Sequence, residues 1–186
     1  MKILCIGDSN TYGYDPRSYL GDRYPAEVRW TDRLDGYEVI NCGVNGMTVP
    51  SEHSRCIGLI RINEPDLVTV MLGTNDLYRG LSAGQVTERM GRFFDSISGV
   101  AKQILLISPP LLQCGDWVMD DDLLDESREL GGMYRELAAK KDCLFADSAE
   151  WDIELSYDGV HFSPEGHAVF AQKLENVLKD LMGSVN

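Results

Sequence analysis

The sequence predicts a doubly wound α/β fold, in which one parallel sheet of five strands, in the order 2-1-3-4-5, carries helices on both faces. Three observations lead there. Five short apolar runs, at residues 2–6, 37–41, 66–72, 103–107 and 143–146, have the length and β-branched content of buried strands. Segments with helical spacing separate them at intervals of about 30 residues, which implies right-handed βαβ crossovers. Most of the runs end in glycine and small polar residues, the composition of a strand breaking into a tight turn. In this strand order the switch point lies between strands 1 and 3, where open α/β sheets place their ligands.

Taken in order, the first run stops at Gly7-Asp8-Ser9-Asn10, which sets Ser9 at the tip of the first strand. Residues 11–16 are too rich in glycine, proline and aromatics for a regular helix, and a helix is expected over 26–34. The second strand ends at Cys42-Gly43-Val44-Asn45-Gly46, and the next helix is expected over 50–61, opened by Pro50. The run 66–72 is the clearest strand and ends at Gly73-Thr74-Asn75-Asp76. Val86, Met90, Phe93, Phe94 and Ile97 mark a helix over 83–97, and Ser108-Pro109-Pro110 ends the fourth strand. Residues 111–122 read as irregular and as a lid candidate, and helix resumes over 123–140 with Gly131-Gly132 as its weak point. After the fifth strand a loop over 151–162 holds Asp158 and His161. Ser163, Pro164 and Glu165 then open a last helix as N-cap, first helical residue and first-turn acid.

The chain has 186 residues, the size of one domain, and a single domain over 1–186 is expected. Its 44% hydrophobic and 25% charged fractions are those of an ordinary globular protein. A net charge of −13 argues against nucleic-acid and anionic-membrane partners and favours small neutral or cationic substrates. The acids Asp116, Asp120, Asp121, Asp122, Asp125, Glu126 and Glu129 lack the spacing of a calcium loop and read as a solvated loop and helix start. Five cysteines without a C-x-x-C pair indicate neither a disulfide framework nor zinc. No leader-like segment precedes the first strand and no apolar run is long enough to span a bilayer, so a cytoplasmic location is expected.

Topology gathers Ser9, Gly46, Asn75 and the Asp158/His161 loop at one sheet edge. Singly, each has a plain structural reading: turn residue, positive-φ glycine, helix cap. Jointly they supply an acyl-transfer site. A serine hydroxyl becomes a nucleophile when a neutral imidazole takes its proton, and the imidazole needs a carboxylate to hold its tautomer. Ser9, His161 and Asp158 meet that need, while the N–H groups of Ser9 and Gly46 and the Asn75 amide suit an oxyanion hole. Tyr12, Tyr14 and Trp30 are candidate pocket residues. His53 and His167 read as structural. A ligand-binding domain without catalysis is the competing class, and it has no use for an oriented base.

Gly7-Asp8-Ser9, Gly46, Gly73-Thr74-Asn75-Asp76 and Asp158-Gly159-Val160-His161, in that order, resemble the four blocks of the SGNH (GDSL-type) hydrolases. The resemblance implies a flavodoxin-like three-layer sandwich and a serine esterase acting on small esters. It implies Ser9 as nucleophile, His161 as base, Asp158 as its partner, Ser9, Gly46 and Asn75 as oxyanion donors, and no metal or organic cofactor. Residues 3–9 with Thr11-Tyr12-Gly13-Tyr14, Val28-Arg29-Trp30-Thr31, residues 71–76 and Ser108-Pro109-Pro110 are similar to the bacterial arylesterase and acyltransferase branch. That branch acts on short acyl esters, and some members form homo-oligomers. Asn10 stands where it has leucine, and Tyr12 and Tyr14 where it often has tryptophan, which adds Asn10 to the candidate pocket. A carbohydrate O-deacetylase would use the same machinery.

Overall fold

The computed structural model describes residues 1–183. The apolar runs form β1 (Lys2–Gly7), β2 (Glu38–Asn41), β3 (Leu67–Met71), β4 (Ile104–Ser108) and β5 (Leu144–Asp147). All neighbours pair in parallel, in the order β2-β1-β3-β4-β5, as the sequence predicts. Ile3 sits between Val39 and Leu67, and Gly7 lies beside Met71, so β1 and β3 end level with each other.

Alternation along the strands divides the core into two layers. Leu4, Ile6, Val68, Val70 and Leu106 face α2 (Ser54–Asn63), α4 (Ala83–Ile97) and α5 (Asp121–Lys141). Ile3, Cys5, Leu67, Met71, Leu105 and Ile107 pack under Trp30 and α6 (Pro164–Gly183). The helix starts follow their capping chemistry. Ser82 and Gln85 form a reciprocal capping box on α4, Asp120 caps α5, and Ser163 Oγ accepts the Gly166 N–H at 2.9 Å ahead of α6. The acidic run thus begins α5, with Asp121 and Asp122 in its first turn. Gly131-Gly132 does not interrupt α5. A Cβ on Gly131 would lie 3.2 Å from Asp147 Oδ1, so its bareness lets the helix approach the end of β5.

The structure corrects the expected elements where long-range bonds take over from local preference. Residues 26–34 form no helix; only Trp30–Asp32 make a 3-10 turn, after an extended Arg29. Trp30 is drawn into the core, where its Nε1–H donates to the Asn10 carbonyl at 2.9 Å. The second helix begins at Ser54 rather than Pro50, because the Val49 N–H is bound to Asp76 and the His53 ring contacts the Pro50 carbonyl and Ser96 Oγ. Two one-turn helices follow strand ends directly: α1 (Ser9–Tyr12) and α3 (Thr74–Tyr78). Among the described residues no helix is long and apolar enough to cross a membrane.

His167, in the first turn of α6, is wholly buried against Tyr24 and Phe162, and its Nδ1 accepts the Trp30 N–H at 3.4 Å. Burial, with Arg33 and Arg29 nearby, pushes its pKa down from 6.5 to about 3. The unfolded chain therefore takes up a proton between pH 6.5 and about 3 that the folded chain refuses, so this contribution to stability is present above pH 6.5 and lost as pH falls through that window. The loss approaches about 1.4 kcal/mol per pH unit. Asp8, whose buried carboxyl is raised to about 6, acts in the opposite sense between its ordinary value of 3.8 and 6. Urea unfolding of the wild type and His167→Gln at pH 7, 5.5 and 4 isolates the histidine: the stability difference between the two should shift in favour of the variant as pH falls. A constant difference would refute it.

Candidate active site

Gly7, the last residue of β1, has no room for a side chain, since a Cβ would stand 2.0 Å from Thr11 Oγ1. That bareness lets α1 start at the strand end. Asp8 caps the turn by accepting the Asn10 N–H at 3.1 Å, and Gly13 at φ 89° stops it. Ser9 is thereby the first residue of a helical turn at the centre of the sheet edge. Beyond β2, the Cys42 and Val44 N–H groups continue onto Cys5 and Gly7 carbonyls, and the chain then turns at Gly46 (φ 71°), closed by the Met47 N–H on the Val44 carbonyl. Beyond β3, Gly73 opens α3, which carries Asn75. Asn75 does not cap the helix; its Nδ2 donates to the Met47 carbonyl at 3.1 Å and lies 3.4 Å from Asp8 Oδ2.

Asp158 and His161 are organised within one loop. Asp158 Oδ1 accepts the N–H groups of Val160 and His161 at 2.9 Å each, and Oδ2 accepts from His161 Nδ1 at 2.7 Å. Burial works to raise the Asp158 pKa, yet these hydrogen bonds and the facing imidazole hold it below the usual carboxylate value. With Nδ1–H given to Asp158, the other ring nitrogen is the acceptor, and His161 Nε2 lies 3.0 Å from Ser9 Oγ. Ser9, Asp158 and His161 are all buried.

The segment read as a lid candidate is laced to this loop as a wall. Gln113, Asp116 and Trp117 donate backbone N–H groups to the carbonyls of Gly159, Tyr157 and Asp158. A Cβ on Gly115 would lie 2.5 Å from the Asp158 carbonyl carbon, so two backbones touch there. This contact brings Trp117 edge-on to the His161 ring at 5.3 Å, with Tyr14 at 4.7 Å and Tyr78 Oη–H bonded to the Trp117 carbonyl.

Ser9 and His161 open into a cavity of about 360 Å³ lined also by Tyr14, Asn45, Gly46, Asn75, Tyr78, Arg79, Trp117 and Val160. Ser9, Gly46, Asn75 and His161 therefore meet, with Asp158 behind the imidazole. Of the candidate pocket residues only Tyr14 lines the cavity. Asn10 is buried and ties two segments together, its Nδ2 donating to the Val160 carbonyl and its Oδ1 accepting the Phe162 N–H. Trp30 is core against Phe170, and Tyr12 lies under the Arg23 guanidinium away from the lining. Sequence reading missed Asn45, Tyr78, Arg79 and Trp117. Tyr78 and Arg79 are one helical turn beyond Asn75 and were within reach of periodicity, whereas Trp117 arrives through pairing with a loop about 40 residues away.

Residues 5–169 match the model of the GDSL-like lipase/acylhydrolase family. An acetylxylan esterase of Geobacillus stearothermophilus is 25% identical over 199 aligned positions, covering 92% of this chain and 90% of that protein. The aryl esterase of M. smegmatis superposes with a TM-score of 0.85 at 26% identity, over 97% of this chain and 99% of that one. A carbohydrate acetylesterase family member from Sinorhizobium meliloti does so with 0.85 at 27% identity, over 98% and 99%.

Proposed function

The chain belongs to the GDSL-like lipase/acylhydrolase family, and from that premise we propose that it is a serine esterase that releases short acyl groups from small esters through an acyl-enzyme on Ser9. One observation carries the reading: the unbroken line from Ser9 Oγ through His161 to Asp158, with separations of 3.0 and 2.7 Å, at the floor of an aromatic-walled cavity.

Ser9 Oγ attacks the ester carbonyl carbon as His161 Nε2 takes its proton, and Asp158 stabilises the imidazolium. The carbonyl oxygen becomes an oxyanion facing the Ser9 and Gly46 N–H groups and the Asn75 amide. Collapse of the tetrahedral species breaks the bond to the alcohol oxygen, which leaves with the proton from His161. Water or an alcohol then repeats the sequence on the acyl-enzyme, and Ser9 is restored. No metal or organic cofactor enters these steps. Action in the cytoplasm belongs to the same proposal, supported by the cysteine pattern, and so does a single domain over these residues, supported by the one continuous five-stranded sheet.

The test is hydrolysis of p-nitrophenyl acetate, butyrate and octanoate. Turnover of acetate and butyrate above octanoate is expected, and no turnover of any of the three would count against the short-acyl reading. Asn75→Ala should lower kcat by about 10²–10³-fold with little change in KM, since the amide serves an oxygen that carries charge only in the transition state. An unchanged kcat would remove Asn75 from the oxyanion hole.

A second reading, deacetylation of a carbohydrate, is favoured by Trp117. It is 51% exposed at the cavity wall beside Tyr14, in the manner of a stacking platform for a sugar ring. Comparing kcat/KM for acetylated xylo-oligosaccharides with that for p-nitrophenyl acetate separates the two.

A further inference from the structure

Asp76 is the most deeply buried carboxylate beside the cavity that the mechanism above does not use. It exposes no surface. Its Oδ2 accepts the Val49 N–H at 2.8 Å and its Oδ1 accepts from Arg89 Nη1, on α4, at 2.9 Å. Burial raises its pKa, while the Val49 N–H and the Arg89 charge work against that rise.

The adjacent residue gives this arrangement its meaning. Asn75 donates to the Met47 carbonyl, so two consecutive side chains of α3 hold the segment after Gly46 at two points, Met47 C=O and Val49 N–H. Gly46 has no side chain to anchor it, and its turn is closed by one backbone bond, Met47 N–H to Val44 C=O. A glycine at positive φ with one closing bond has a loosely defined N–H direction, and an oxyanion donor is useful only within a few tenths of an ångström of its place. A neutral side chain would satisfy Val49 equally well. The carboxylate does more: its second oxygen ties the turn to α4 through Arg89.

We infer that Asp76, braced by Arg89, is a positioning residue for the oxyanion hole, fixing the Gly46 turn against Asn75, a role that rests on the esterase reading above. A purely structural ion pair would affect stability alone; a positioning residue acts through the same donors as Asn75.

The experiment compares wild type, Asp76→Ala, Asn75→Ala, the double variant and Arg89→Gln. With p-nitrophenyl acetate, Asp76→Ala should lose about 10²-fold in kcat with KM within about threefold. The double variant should fall less than about tenfold below Asn75→Ala, because both act on one oxyanion site and their effects are not additive. Amide hydrogen exchange should quicken at Met47 and Val49 and stay unchanged in β1 and β3. Arg89→Gln, which leaves the carboxylate in place, should show the same pattern more weakly and serves if Asp76→Ala does not fold. Additive losses, an unchanged kcat, or unchanged exchange at Val49 in variants that fold would overturn the inference. The exchange arm needs no turnover, so a wild type inactive on p-nitrophenyl acetate would count against the short-acyl reading while leaving the hold on the turn decided on its own.

Discussion

Ser9→Ala is expected to fold like the wild type and to lose about 10⁶-fold in kcat for ester hydrolysis. The hydroxyl has a base aligned on it, His161 Nε2 at 3.0 Å, and among the described residues that contact is its one side-chain hydrogen bond. The α1 turn is capped by Asp8 and closed by backbone bonds from Gly13 and Tyr14 to the Ser9 carbonyl, all of which alanine keeps. Alanine also suits the first turn of a helix, so circular dichroism and the thermal midpoint should stay close to wild type. Residual hydrolysis would reflect the oxyanion donors and binding alone. A folded Ser9→Ala protein that turns over p-nitrophenyl acetate at the wild-type rate would remove the acyl-enzyme from the mechanism.

Asp158→Asn should cost about 10⁴-fold in kcat while leaving the loop in place. The reason lies in the division of labour between the two carboxylate oxygens. Oδ1 accepts the Val160 and His161 N–H groups, a duty the asparagine carbonyl can assume. Oδ2 accepts from His161 Nδ1, where asparagine presents an N–H instead. The ring must then carry its proton on Nε2, which turns a hydrogen bond acceptor for Ser9 into a donor. Nitrogen NMR of the imidazole should report the tautomer change directly, with the proton on Nδ1 in the wild type and on Nε2 in the variant. A variant with the proton still on Nδ1, or with wild-type turnover, would show that Asp158 does not orient the base.

The two variants probe opposite ends of one line of hydrogen bonds whose parts differ in how visible they were beforehand. Asp158 and His161 are three residues apart, so local geometry suffices to pair them. Ser9 is 152 residues from His161, and only the strand order brings them to one edge. That order was legible because parallel strands buried on both faces are written as continuous apolar runs, and because each chemical residue follows such a run at its carboxyl end.

What the sequence by itself determined was therefore the five strands, their order and the five residues at their ends: local composition fixes a buried strand and its turn, and crossover handedness then leaves few topologies. Only the tertiary structure decided the cavity wall and the bracing behind it. Trp117 reaches His161 because Gly115 lets its backbone touch that of Asp158 and Gly159 lets its own touch the Gln113 carbonyl, Trp30 and Asn10 leave the pocket because each has a long-range hydrogen bond to satisfy, and Asp76 holds Val49 from another element. The reason is physical. Burial forces each polar group to find a partner, and the partner's identity is set by which elements pack together rather than by the neighbouring residues in the chain.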